Sequence, residues 1–214
     1  MDKAFQDLDD WITLRDMPNG QKRVIKAALK LFSTQGFDGT STAQIATESG
    51  MSQATIFKYF KSKNDLLLFI VRPLIEHILP VYGKEFVKQL ESKANTMPEL
   101  IQFIVTDCYQ FLVQNKDAAI ILINQVLISD DIRNMLLDKL QSMQKIFTDN
   151  VWKTIVATGE IRDDLSMDQF IRMIASQVAF YFLQSQRIVE ITDQQKIDAD
   201  LTEIIKSVIL AIKK

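Results

Sequence analysis

The sequence is short of the residues that end helices, cross-link chains or bind metals. Its 214 residues include 6 glycines, 4 prolines, one cysteine and one histidine. With Cys108 alone no internal disulfide can form, which suits a reducing cytoplasm, and the thiol reads as a small buried hydrophobe. With His77 alone a histidine-based metal cluster is excluded, and an enzyme would have little beyond scattered carboxylates to work with. A phosphate-binding glycine loop is missing too. No apolar run reaches the roughly 18 uninterrupted residues of a membrane span, the stretch "AAIILI" at 118–123 being far too short. The opening "MDKAFQDLDDW" lacks the basic start and apolar run of a secretion signal. The expectation is a cytoplasmic protein that is not an enzyme and uses neither metal nor cofactor.

What the chain does have is helical periodicity. Apolar residues make up 47% of it and charged residues 24%, as in an ordinary globular protein. The apolar residues recur at spacings of three and four almost throughout, so the expected fold is all-α. A first amphipathic stretch spans residues 2–16, with Phe5, Leu8 and Ile12 on one face, and is closed by Pro18, Asn19 and Gly20. The next helix buries Val24, Ala27, Ala28, Leu31 and Phe32 and stops at Gly36. Ser62 with Asp65, Thr96 with Glu99 and Ser166 with Gln169 have the spacing of capping boxes and open three later helices. Pro73 is expected to kink the first of these. With a helix at about 117–128, a long one ending at Gly159 and a last one running to the C-terminus, the count is about nine helices plus a possible extra one at the N-terminus.

The stretch "IATESGMSQATIFKYF", residues 45–60, carries the strongest signal. Ser41 or Thr42 caps a short helix that Gly50 ends, and Ser52 opens another within three residues, which is a helix-turn-helix. Ala46 is small enough for the two helices to cross closely, and Gly50, four residues on, supplies the positive φ of the turn. Ile45, Met51 and Ile56 face inward, so the second helix presents Ser52, Gln53, Thr55, Lys58 and Tyr59 outward. Charge agrees. The net charge is −2, yet residues 20–66 hold seven Lys and Arg against three Asp and Glu, whereas residues 1–19 hold two against five. A basic head on an acidic body suits double-stranded DNA as the partner. Gln53 is the first candidate for reading a base, because glutamine pairs with adenine through two hydrogen bonds in the major groove. Ala54 lets the helix sit deep, and Thr55 can touch a base or the backbone. Thr40, Ser41 and Thr42 offer hydroxyls and free N–H groups to a phosphate, and Lys58, Tyr59 and Lys63 serve the other side of the groove. The five acidic groups of the N-terminal extension would repel DNA and are placed away from that groove.

Residues 27–67, "AALKLFSTQGFDGTSTAQIATESGMSQATIFKYFKSKNDLL", resemble the N-terminal domain of the tetracycline-repressor (TetR) family of bacterial regulators. The resemblance rests on Gly36-Phe37, the threonine-rich cap, Ile45-Ala46, the Gly50 turn and the closing "FKYFKSK". It implies an N-terminal extension at 1–19, a three-helix DNA-binding domain at 20–66 and a helical ligand-binding and dimerisation domain at 67–214. It further implies a homodimeric repressor, paired through helices at about 167–188 and 194–213, that sits on a palindromic operator and is released by a small hydrophobic or aromatic ligand. Phe103, Asp107, Phe111, Asn124, Gln125, Phe147, Trp152, Met173, Gln177 and Tyr181 combine aromatic, thioether and amide groups able to line such a cavity, although the same spacing also describes plain core. The alternative is a helical protein-interaction adaptor that carries the DNA-binding head without an inducer.

Overall fold

In the computed structural model residues 7–93 and 96–214 are described. The helices are α1 (Leu8–Leu14), α2 (Asn19–Gln35), α3 (Thr42–Ser49), α4 (Gln53–Tyr59), α5 (Lys63–Pro73), α6 (Leu79–Lys93), α7 (Met97–Gln114), α8 (Lys116–Ile128), α9 (Asp130–Ile146), α10 (Lys153–Ala157), α11 (Met167–Leu183) and α12 (Gln194–Ile212). Three π-helical turns, Leu74–Ile78, Phe147–Trp152 and Gln184–Ile188, carry α5 into α6, carry α9 into α10 and extend α11. Counting each such run once gives ten helices among the described residues, the all-α fold expected. No strand occurs among them; an isolated bridge pairs Ile161 with Lys213. The expected start of the first helix at residue 2, and Phe5 with it, lies outside the described residues.

The chain divides into two compact units, one of the chain up to Tyr82 with Asn115–Leu140, the other of Gly83–Gln114 with Gln141–Lys214. The segment 20–66 lies wholly within the first unit, which also takes in α1 and α8. Leu8, Trp11 and Ile12 of α1 are buried, and the Trp11 ring meets that of Phe69 edge-on at 5.5 Å. The Leu8 N–H donates to Asn115 Oδ1 at 3.2 Å, and Asp9 pairs with Lys26 at 2.6 Å. Helix α1 is therefore a core element of its unit, held by apolar burial and by an ion pair to α2.

Pro73 does not break the helix it sits in. Proline has no N–H to give the carbonyl one turn back, and the ladder answers by widening over Leu74–Ile78, where the Leu79 N–H reaches Leu74 O. The uninterrupted stretch Lys63–Leu90 is long and apolar enough by composition to cross a membrane, which a search for unbroken apolar runs misses because Arg72 and Glu76 interrupt it. Leu66, Leu67, Ile70, Val71, Leu74, Ile75 and Ile78 are nevertheless all buried. They form a core face.

In the second unit α7 packs on α11 and α12. Phe86 lies 5.2 Å from Phe103, Trp152 lies 5.7 Å from Phe170, and Tyr109 lies 5.4 Å from Tyr181, ring centre to ring centre. Both expected capping boxes in this unit are present: Thr96 exchanges hydrogen bonds with Glu99, and Ser166 with Gln169. Cys108 is half-buried rather than buried, and His77 is exposed.

Candidate nucleic-acid interface

The geometry of α3 and α4 follows from four local signals. Ser41 Oγ accepts from Gln44 N while Gln44 Oε1 accepts from Ser41 N at 2.7 Å, a full capping box that starts α3. At the other end Gly50 has φ 63° and ψ 30°; its N–H donates to Thr47 O and the Met51 N–H to Ala46 O. These two bonds close a Schellman motif, which needs the left-handed conformation that glycine adopts without strain. Ser52 Oγ then accepts from Thr55 N at 3.1 Å to start α4. Ile45 and Ile56 are buried, and so are Val24, Ala28 and Phe32 of α2 against which the pair packs. A side chain at Gly20 would press on Tyr59 Oη and Met51 Sδ, at 3.0 and 3.2 Å, so the missing side chain there lets the end of α4 approach the start of α2.

The outward face of α4 is rotated from the one expected. Ser52, Gln53, Ala54, Phe57 and Lys58 are exposed, whereas Thr55 and Tyr59 are half-buried. The Thr55 hydroxyl is paired with Ser52 Oγ at 2.8 Å. Phe57, passed over in the expected face, is 49% exposed. Only its position four residues after Gln53 could have signalled that.

Two expected contacts need correction. Thr40 is 1% exposed and its hydroxyl donates inward to Gly36 O at 2.7 Å, so it does not offer that hydroxyl to a phosphate. Lys63 donates to the carbonyls of Phe37 and Thr40, each at 2.8 Å, and its ammonium lies 4.2 Å from the Phe37 ring centre. It clamps the loop between α2 and α3 instead of standing free. Ser41 is exposed and Thr42 half-buried, both at the start of α3. Other cations of the segment are also engaged: Lys26 with Asp9, Lys30 with Glu48 at 2.6 Å, and Lys22 with Thr13 O. Arg23, Lys58 and Lys61 are exposed and hold no hydrogen bond or ion pair among the described residues, and the Arg23 guanidinium lies beside Gly50. These three are the charge left for an anionic partner around the turn and α4.

The residues expected to line a cavity are divided between the two units. Asn124 and Gln125 belong to the first unit, where Asn124 is exposed and Gln125 buried. In the second unit Phe103, Trp152 and Tyr181 stack on core aromatic rings as described above. Phe111, Phe147, Met173 and Asp107 are half-buried. Gln177 and Tyr181 border an open groove along α11 and α12 with Phe180, Val189 and Asp200. Tyr181 Oη donates to Asp200 Oδ2 at 3.1 Å. Burial, followed by the Asp200 carboxylate, pushes the Tyr181 phenol well above its usual range, while Lys196 and then Tyr181 hold Asp200 below the usual carboxylate range.

Comparison with known proteins decides the family. The model of the bacterial regulatory proteins of the tetR family matches residues 24–70, from α2 into α5. The DNA-binding head of the chain is that of the TetR family. The chain is 33% identical over 86 residues to HbdR, an HTH-type transcriptional regulator of Aromatoleum, covering 40% of this chain and 36% of that one. It is 25% identical over 182 residues to YttP, a probable HTH-type regulator of Bacillus subtilis, covering 81% and 82%. The chain thus spans about a third of the length of the first relative and most of the second. Among solved structures, the ketosteroid regulator KstR2 of Mycobacterium tuberculosis aligns with a TM-score of 0.69 at 15% identity, covering 93% of this chain and 97% of that one. FadR of Bacillus subtilis, in complex with stearoyl-CoA, aligns at 0.54 and 18%, covering 87% and 94%. The structural likenesses show a shared fold. The TetR family is one of regulators, not enzymes.

Proposed function

We propose that this TetR-family chain is a cytoplasmic homodimeric repressor that binds a palindromic operator through α3 and α4. The observation that carries the reading is the left-handed Gly50 turn between two capped helices, the second of which turns Gln53, Ala54 and Lys58 to solvent beside the exposed Lys61. One such helix reads few bases, so two heads on a two-fold axis are needed, with half-sites about 34–36 Å apart or a multiple of it. The pairing surface is the face of α11 and α12, where Phe180 is 62% and Leu210 80% exposed. Leaving both in water is costly, and a self-complementary face removes that cost.

Release follows binding of a small apolar molecule by the helical body, a reading supported by the stearoyl-CoA held by the structural neighbour FadR. The helical run from Lys63 to Lys93, widened after Pro73, carries the signal to the heads. An inducer acts only through its different affinity for the two states, and a coupling of about 1–3 kcal/mol weakens operator binding by roughly 5- to 150-fold.

The experiment is a titration of a duplex the protein selects, followed by fluorescence anisotropy and sedimentation, with and without long-chain acyl-CoA. Two chains per palindromic duplex support the dimer, and one chain per duplex contradicts it. Unchanged operator affinity across a panel of acyl-CoA, steroid and aromatic compounds contradicts the inducer and favours the adaptor reading.

A further inference from the structure

Phe57 is more exposed than the other phenylalanines and the tryptophan described in its unit. Trp11, Phe32 and Phe60 are buried, and Phe37 and Phe69 have edge-on ring partners at 5.2–5.5 Å. Phe57 has no ring partner among the described residues and is half in water. It lies four residues after Gln53 and three after Ala54, so the three side chains share one face of α4, with Phe57 one turn further along.

A phenyl ring on that face can take no hydrogen-bonding role. It has neither donor nor acceptor for a phosphate oxygen or a base edge. What it can recognise in a major groove is the one apolar group displayed there, the C5 methyl of thymine. Burying ring and methyl against each other removes apolar surface from water on both sides. Lys58, the next residue, is exposed, so its charge is available to a phosphate beside the groove.

We propose that Phe57 is a specificity-determining residue that reads a thymine methyl about one helical turn along α4 from the base read by Gln53. The proposal rests on the DNA-binding reading above, and it assigns a base where a phosphate contact would carry no sequence information.

The test uses the full-length protein and a duplex it selects from a random library. Each thymine is replaced in turn by deoxyuridine, which removes the methyl and nothing else. At one position per half-site the wild-type protein should bind about fourfold more weakly, the effect of uncovering one methyl. Phe57→Ala should bind the thymine duplex more weakly and be indifferent to the replacement at that position, while Ala54→Gly keeps the sensitivity. Phe57→Tyr, which retains the ring, should keep it as well. Circular dichroism melting shows whether Phe57→Ala is folded; an exposed residue should leave the midpoint unchanged. Tight binding with no methyl-sensitive thymine overturns the assignment of Phe57 and leaves the DNA-binding reading standing. The same sensitivity in Phe57→Ala overturns it too, giving the methyl contact to another residue. If no duplex is selected at all, the DNA-binding reading fails and this one with it.

Discussion

The Lys63 ammonium lies 4.2 Å from the centre of the Phe37 ring and donates to the carbonyls of Phe37 and Thr40, both at 2.8 Å. One side chain at the start of α5 thereby fixes the loop that delivers Ser41 to the head of α3. Lys63→Met should cost about 1–3 kcal/mol of stability by leaving two carbonyls without their charged donor. The salt dependence of DNA binding should keep its slope. A slope reduced by about one, with stability unchanged in urea unfolding, would make Lys63 a phosphate ligand after all.

Gln53 and Lys58 should separate by what they lose. Gln53→Ala should relax preference at one base position, at about 1–3 kcal/mol on the preferred site. Lys58→Ala should weaken all sequences alike and lower the salt slope by about one. Affinity measured on matched and mismatched duplexes at several salt concentrations distinguishes them, and an exchange of the two patterns would exchange the two roles.

Gly50→Ala places a side chain on a residue at φ 63° and against Arg23. The left-handed conformation alone costs about 1–2 kcal/mol for a residue with a Cβ, so the unfolding midpoint should fall. Gly36→Ala is not a matched control, because φ 80° with ψ 162° is a region that essentially only glycine adopts, although a Cβ there meets nothing within 4 Å. An unchanged unfolding midpoint in Gly50→Ala would contradict the account of the turn.

Tyr181 gives the second unit a pH dependence of known sign. Its phenol is raised above the ordinary value of 10 in the folded chain, so the fold retains a proton that the unfolded chain releases. That stabilisation is complete below pH 10 and is lost as the pH rises from there toward the folded value. Tyr181→Phe should therefore flatten the alkaline decline of stability relative to wild type in denaturant titrations. An unaltered decline would show that Tyr181 does not titrate as described.

How much was legible in the sequence divides along the range of the interactions. The caps at Ser41, Ser52, Thr96 and Ser166 and the turn at Gly50 involve partners within five residues, and their elements stand where the residues place them. Thr40 and Lys63 were misread because their partners are set by the path of the α2–α3 loop, and for Lys63 they lie 23 and 26 residues away. Phe57 was missed because α4 is only 7 residues long, too short for periodicity to fix its rotation. Pro73 signals a disturbance of its helix, and the structure shows its form, a π-helical turn over Leu74–Ile78 directly after the proline. The aromatic residues of the body were ambiguous between cavity and core because helical spacing is the same for both; only the ring contacts of Phe103, Trp152 and Tyr181 show what each one touches.

The central claim is that α4 reads DNA for a two-fold symmetric protein. Its most direct measurement is selection of random DNA duplexes by the purified full-length chain at physiological salt, followed by sequencing of the bound fraction. The account predicts an enriched palindrome whose half-sites are separated by about one helical turn or a multiple of it. Absence of enrichment from a protein that is folded and dimeric in solution would contradict it.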